Sequence, residues 1–156
     1  RLLTSSFLHF DISHIFNNML VLAYIGDNLE RALGSVKYLI FYILCGLGSG
    51  AVSMLWSMIT HDYAISGGAS GAVFGVVGGL FIIVVMNKGH LEDMSSRSLG
   101  LFAVFSIYHG VTSVGVDNAA HIGGAVIGIL LGLLMYRKKK YRHNIFETND
   151  WRNESW

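Results

Sequence analysis

The chain has 156 residues, of which 53% are hydrophobic and 13% charged, with 19 glycines and no proline, whereas an ordinary soluble domain carries ~25% charged residues. That composition argues against a soluble globular fold, and the single cysteine, Cys45, excludes an intramolecular disulfide scaffold. The net charge of +1 hides an uneven distribution: five of the eleven Lys and Arg lie between Arg137 and Arg142, so nucleic-acid binding is a poor reading.

Crossing ~30 Å of hydrocarbon takes ~20 predominantly apolar residues. The first candidate span, Ile12 to Gly26, is short and holds His14, Asn17 and Asn18 in its first two turns. Tyr38 to Thr60 carries no charge and stops at His61 and Asp62; Ala64 to Met86 is likewise uncharged and stops at Asn87 and Lys88. Ser98 to Val116 ends at Asp117, and Asn118 to Tyr136 runs into the basic stretch that begins at Arg137. These runs are continuous rather than alternating, so no segment reads as a strand pair or barrel. Helices satisfy their own backbone in lipid. The expected fold is an all-α polytopic membrane protein, with a membrane domain over residues 1–136 and a basic and polar cytoplasmic tail over 137–156. Cys45 is expected to be a small buried hydrophobe.

Five spans place the two ends on opposite faces. Arg31, Lys37, Lys88, Arg97, Arg137, Lys138, Lys139, Lys140, Arg142 and Arg152 then share one face, and only Arg1 lies on the other. The positive-inside rule makes the crowded face cytoplasmic, so the C-terminus is cytoplasmic.

Polar groups inside a bilayer are costly and are functional candidates by default. His14, Asn18, Ser70 and His121 all lie near exterior helix ends in this topology, at one depth on three helices. Gly67, Gly71, Gly75 and Gly79 recur every four residues on the helix of Ser70, and Gly124, Gly128 and Gly132 do so on the helix of His121. Small-residue stripes let helices approach closely, and such a crossing brings a serine hydroxyl to an imidazole. Ser70 then reads as a nucleophile and His121 as its general base. A helix N-terminus leaves backbone N–H groups beside Ser70, and His14 and Asn18, spaced i, i+4, read as further oxyanion donors. His109 competes as base but has no adjoining glycine stripe. Asn17 reads as structural, and His9, His61, His90 and His143 fall in loops or ends. No Asp or Glu lies inside a span, which weighs against a carboxylate relay or metal site, so no cofactor or metal is expected.

These residues resemble the rhomboid family of intramembrane serine proteases. The resemblance rests on His14 to Asn18 (HxxxN), Gly68 to Gly71 (GxSG) and Ala120 to Gly128 (AHxxGxxxG), together with the lead-in from Arg1 to His9 and a turn over Glu30 to Gly34. It implies a rhomboid-like helical bundle with five transmembrane helices present of an expected six, the N-terminal one missing by truncation. It further implies a Ser70–His121 dyad and an oxyanion hole of His14, Asn18 and the Ser70 backbone N–H. Gly68 would shape the nucleophile turn, Phe74 would pack under His121, and Ser98 to Gly110 would form a mobile lateral gate. Single-span membrane proteins are the implied partners, cut near the exterior face within the lipid bilayer, and a bacterial plasma membrane is the expected location. The alternatives are a catalytically silent membrane chaperone or adaptor, which would have lost Ser70 or His121, and a transporter subunit, which would carry polar residues through to the inner face.

Overall fold

The computed structural model describes residues 12–61, 69–91, 94–95, 97–102, 104, 108 and 116–138. The first helix, α1 (Ile12–Val21), passes through one π-helical turn (Leu22–Gly26) and continues directly into α2 (Asp27–Leu33). The helix expected to stop at Gly26 therefore runs on to Leu33, and Glu30 to Leu33, expected as a turn, form its last turn. The chain leaves the helix at Gly34, whose φ of +88° suits a residue without Cβ. In the wider π turn the Tyr24 carbonyl accepts a 2.8 Å hydrogen bond from Asn28 Nδ2. A Cβ at Gly26 would lie 2.5 Å from the Tyr38 hydroxyl, so the glycine admits the next helix at close range.

That next helix, α3 (Ser35–Thr60), begins at Ser35 rather than Tyr38 and spans 26 residues. It buries Phe41, Cys45, Ser49 and Ser53, a stripe four residues apart. Its other side is apolar and exposed, with Leu39, Ile40, Ile43, Leu55, Trp56 and Ile59 facing outward. An apolar outer face along a helix of this length matches a hydrocarbon surrounding rather than water.

Helix α4 (Ser70–Met86) is the centre of the bundle: the ten residues from Gly71 to Leu80 are all buried. A helix enclosed on every side has no use for a polar face, which is why this segment is apolar all round. Helix α5 (Asn118–Met135) crosses α4 over most of its length, and α3 packs against both. Its outward residues, Ile122, Val126, Leu130 and Leu134, are again exposed and apolar. The lower ends of α4 and α5 are tied by Asn87, whose Nδ2 donates to the Tyr136 hydroxyl at 2.9 Å.

Among the described residues, α3 and α5 are long and apolar enough to cross a membrane, and α4 is a shorter apolar helix. Residues 97–102, 104 and 108 are helical within the span expected from Ser98 to Val116. Residues 103, 105–107 and 109–115 of that span, residues 62–68 and the tail beyond 138 lie outside the described residues. The sequence led to no expectation of paired strands, yet β1 (His90–Leu91) and β2 (Met94–Ser95) pair antiparallel, His90 with Ser95 and Leu91 with Met94. This short ladder follows the α4 terminus, where Lys88 and Gly89 both take positive φ and turn the chain back. It lies in a connection between helices, so the lack of long alternating runs did not bear on it.

The α4–α5 crossing is a contact of backbone on backbone. A Cβ on Gly124 would collide with the Gly71 carbonyl, and one on Gly128 with the Gly75 carbonyl. A Cβ on Gly132 would come within 3.1 Å of the Gly79 oxygen. Gly128→Ala should thus lower the thermal midpoint in detergent, with a cost of about 1–3 kcal/mol for overpacking against an unyielding backbone. Gly100→Ala, where the nearest atom would be 4.0 Å away on Phe81, should leave the midpoint unchanged or raise it.

Candidate active site

Ser70 is the first residue of α4, following Ala69 in a right-handed conformation. The first N–H groups of a helix have no intrahelical acceptor, so they are available to a developing negative charge beside the serine. His121 lies in the first turn of α5. Its N–H donates to the Asp117 carbonyl at 3.1 Å, the bond that opens the helix, and the Asp117 side chain accepts from the Ala120 N–H at 2.9 Å as N-cap.

The glycine crossing then decides where the two side chains meet. Ser70 Oγ and His121 Nε2 are 2.9 Å apart, within hydrogen-bond distance. His121 is 9% exposed, and its ring stacks on Phe74 with centroids 4.2 Å apart and planes 12° from parallel. Phe74 is one helical turn beyond Ser70, so a single helix supplies both the hydroxyl and the surface that keeps the imidazole from rotating. With the proton on Nδ1, the hydroxyl donates to Nε2, the arrangement in which an imidazole can accept a proton from an attacking oxygen.

Asn18 of α1 is 6% exposed, and among the described residues its Nδ2 has no hydrogen-bond partner. A buried donor without a partner carries a desolvation cost of about 1–3 kcal/mol, tolerated more readily where a ligand oxygen can use it. His14 lies one turn earlier on the same helix, but its side chain, like that of Asn17, is outside the described residues. Gly68 and His109 lie outside them altogether. Gly71, Gly124 and Gly128 sit in the crossing itself. His61 is exposed at the end of α3 with φ +55°, away from any cluster. Cys45 is fully buried under Gly75, as a small hydrophobe. Among the described residues, no three His, Cys, Asp or Glu side chains come together.

Two polar residues in this neighbourhood had no role on the basis of sequence. Asp117 reads as the charge that ends one span and precedes the next, yet its carboxylate is the N-cap of α5. An Asp directly before an apolar helix carries that signal. Ser53 reads as one of several hydroxyls in α3, and nothing local distinguishes it from Ser49 or Ser57.

A profile of the Rhomboid domain matches residues 1–138. The chain belongs to the rhomboid family. It is 34% identical over 142 residues to RHOMBOID-like protein 4 of Arabidopsis thaliana, covering 90% of this chain and 35% of that protein. It is 35% identical over 150 residues to Rhomboid protease AarA of Providencia stuartii, covering 83% and 53%. With Rhomboid protease GluP of Bacillus subtilis the identity is 31% over 128 residues, covering 82% and 24%. The chain thus spans about a quarter to a half of the length of these three relatives. Membership of the rhomboid family agrees with the apolar outer faces of α3 and α5 in making this a membrane protein.

The state of Asn18 can be read from stability. Asn18→Leu should hold or raise the thermal midpoint, by up to about 1 kcal/mol of recovered desolvation, whereas removing a hydrogen-bonded buried amide would lower it. Differential scanning fluorimetry in detergent separates the two.

Proposed function

We propose that the chain is the membrane core of an intramembrane serine endopeptidase. The observation that carries the proposal is the 2.9 Å approach of Ser70 Oγ to His121 Nε2 at the start of two apolar helices. Ser70 attacks the scissile carbonyl as His121 takes the hydroxyl proton, giving a tetrahedral oxyanion and an imidazolium. His121 then returns the proton to the leaving amine, the C–N bond breaks, and an acyl-Ser70 ester remains. Water, activated by the same imidazole, hydrolyses that ester and restores the serine. The Ser70 backbone N–H, Asn18 and His14 serve as the oxyanion donors. The Asn18 amide, without a partner among the described residues, supports this role, and for His14 the support is the shared helix face. Gly68 shapes the approach to Ser70, while Gly71, Gly124 and Gly128 hold the crossing and Phe74 holds the ring.

The substrates are single-span membrane proteins, cut near the exterior face. An apolar cavity of about 250 Å³ lies between Leu20, Tyr24 and Ile25 on one side and Ser98, Leu99 and Phe102 on the other. Its position supports lateral passage of an apolar substrate helix past residues 98–110. Five spans with the C-terminus in the cytoplasm, in a bacterial plasma membrane, complete the reading; the ten-to-one distribution of basic residues supports the orientation. Retention of both Ser70 and His121 at hydrogen-bond distance favours an enzyme over a silent chaperone or adaptor.

A fluorophosphonate probe tests the activated serine. The folded protein in detergent should be labelled, and Ser70→Ala and His121→Ala should each abolish labelling without loss of fold. Absence of labelling in the folded wild type would replace this reading with the silent one.

A further inference from the structure

Asp117 uses both carboxylate oxygens, and on different elements. Oδ1 accepts from the Ala120 N–H inside α5 at 2.9 Å, while Oδ2 accepts from the Ser53 hydroxyl of α3. Ser53 is 4% exposed, so this contact is made in the interior. Ser49, one turn earlier on the same buried stripe, is an internal comparison: its hydroxyl donates to the Gly46 carbonyl of its own helix at 3.0 Å. That local bond is the usual resort of a serine within a helix. Ser53 instead reaches a residue 64 positions away in the chain.

The same stripe of α3 touches the other members of the site. Ser49 fills the space beside Gly71, the residue after Ser70, so that a Cβ there would overlap its side chain. Val52 lies against Gly123, two residues after His121, where a Cβ would be 2.7 Å from the valine. Helix α3 therefore contacts the start of both catalytic helices, by shape at Ser49 and Val52 and by a directional bond at Ser53.

We propose that Ser53 and Asp117 are positioning residues that set the rotation and height of the first turn of α5, and with it the place of His121 Nε2. The functional side of this proposal rests on the protease reading of the Ser70–His121 pair. Apolar packing of glycine on backbone excludes collisions but leaves sliding and rotation weakly resisted. A hydrogen bond from α3 to the N-cap carboxylate adds direction. The carboxylate also lies at the positive end of α5, where negative charge is favoured. Asp117 acts through the backbone: its carbonyl accepts the His121 N–H at 3.1 Å, and its side chain fixes the residue before. A displacement of ~1 Å at a catalytic group costs on the order of 10²-fold in rate, so a modest loosening of this turn is visible in chemistry before it is visible in the fold.

The test uses the intact protein in detergent with Ser53→Ala, Asp117→Ala and the conservative pair Ser53→Thr and Asp117→Asn. Threonine keeps the hydroxyl, and asparagine keeps an acceptor for Ala120 while offering an amide that Ser53 can accept from. Two site readouts are taken: the rate of Ser70 labelling by a fluorophosphonate, and the imidazole nitrogen resonances of ¹⁵N-histidine protein. The His121 signals are assigned by their loss in His121→Gln. Both alanine variants should slow labelling by about tenfold and move the His121 Nε2 resonance, while the conservative variants stay close to wild type on both readouts. Should Asp117→Ala not fold, Ser53→Ala decides alone, because it removes one hydroxyl and leaves the N-cap. Unchanged labelling and an unmoved resonance in Ser53→Ala would overturn the proposal even if the thermal midpoint fell. Equal losses in the alanine and conservative variants would overturn it too. If the wild type itself is not labelled, the protease reading fails, and the His121 resonance still decides whether Ser53 and Asp117 position the ring.

Discussion

The close approach of α4 and α5 is the constraint on which the rest of the structure depends. In lipid, helices gain nothing from hiding apolar surface from one another, so association relies on close packing and on the few polar contacts available. Here the packing reaches its limit, with the carbonyls of Gly71, Gly75 and Gly79 occupying the space where side chains of α5 would otherwise be. The helices are held at this separation because the glycines of each meet the carbonyls of the other. Ser70 and His121 inherit their separation from that contact. Neither side chain has to hold the other in place, since the backbone does so.

The distribution of polarity follows the same economy. Outward faces of α3 and α5 are apolar, and α4 is enclosed, so each polar side chain in the interior has to be accommodated by a specific neighbour. Ser49 turns back to its own helix, Ser53 reaches Asp117, and His121 lies between Ser70 and the face of Phe74. Asn18 stands apart, with a buried Nδ2 that no described residue accepts from. Such local irregularities are few in folded proteins. The π turn after α1 is a second irregularity of this kind. It separates the segment carrying His14 and Asn18 from α2, whose buried Leu29 and Leu33 belong to the core.

The three helices contribute unequally. Helix α4 supplies the serine and the aromatic support, and α5 supplies the imidazole. Helix α3 carries neither Ser70 nor His121, yet it contacts the start of both others through Ser49, Val52 and Ser53. A bundle in which the third helix braces the other two resists shear along the glycine crossing, the one direction that smooth backbone packing resists least.

Much of this was legible in the residues alone. Uncharged runs of membrane length, bounded by charge, mark helices wherever every backbone group has to be satisfied within its own segment. Four-residue spacing of glycine marks the crossing faces, because helical periodicity is local. Serine and histidine at the heads of those stripes were therefore readable as a pair, while the aromatic one turn below Ser70 was implied by the family resemblance. Helix ends were less so: Glu30 to Leu33 read as a turn but belong to α2, since nothing polar in a sequence states whether a carbonyl one turn back is accepting its bond. The short pairing at His90 to Ser95 escaped for a similar reason, being set by the two positive-φ residues that precede it. The partnership of Ser53 with Asp117 had no sequence signal at all, because Ser49, Ser53 and Ser57 on one helix are equivalent until the other helices arrive. Periodicity within a segment is a property of the chain; which face meets which, and at what height, is decided only when backbones touch.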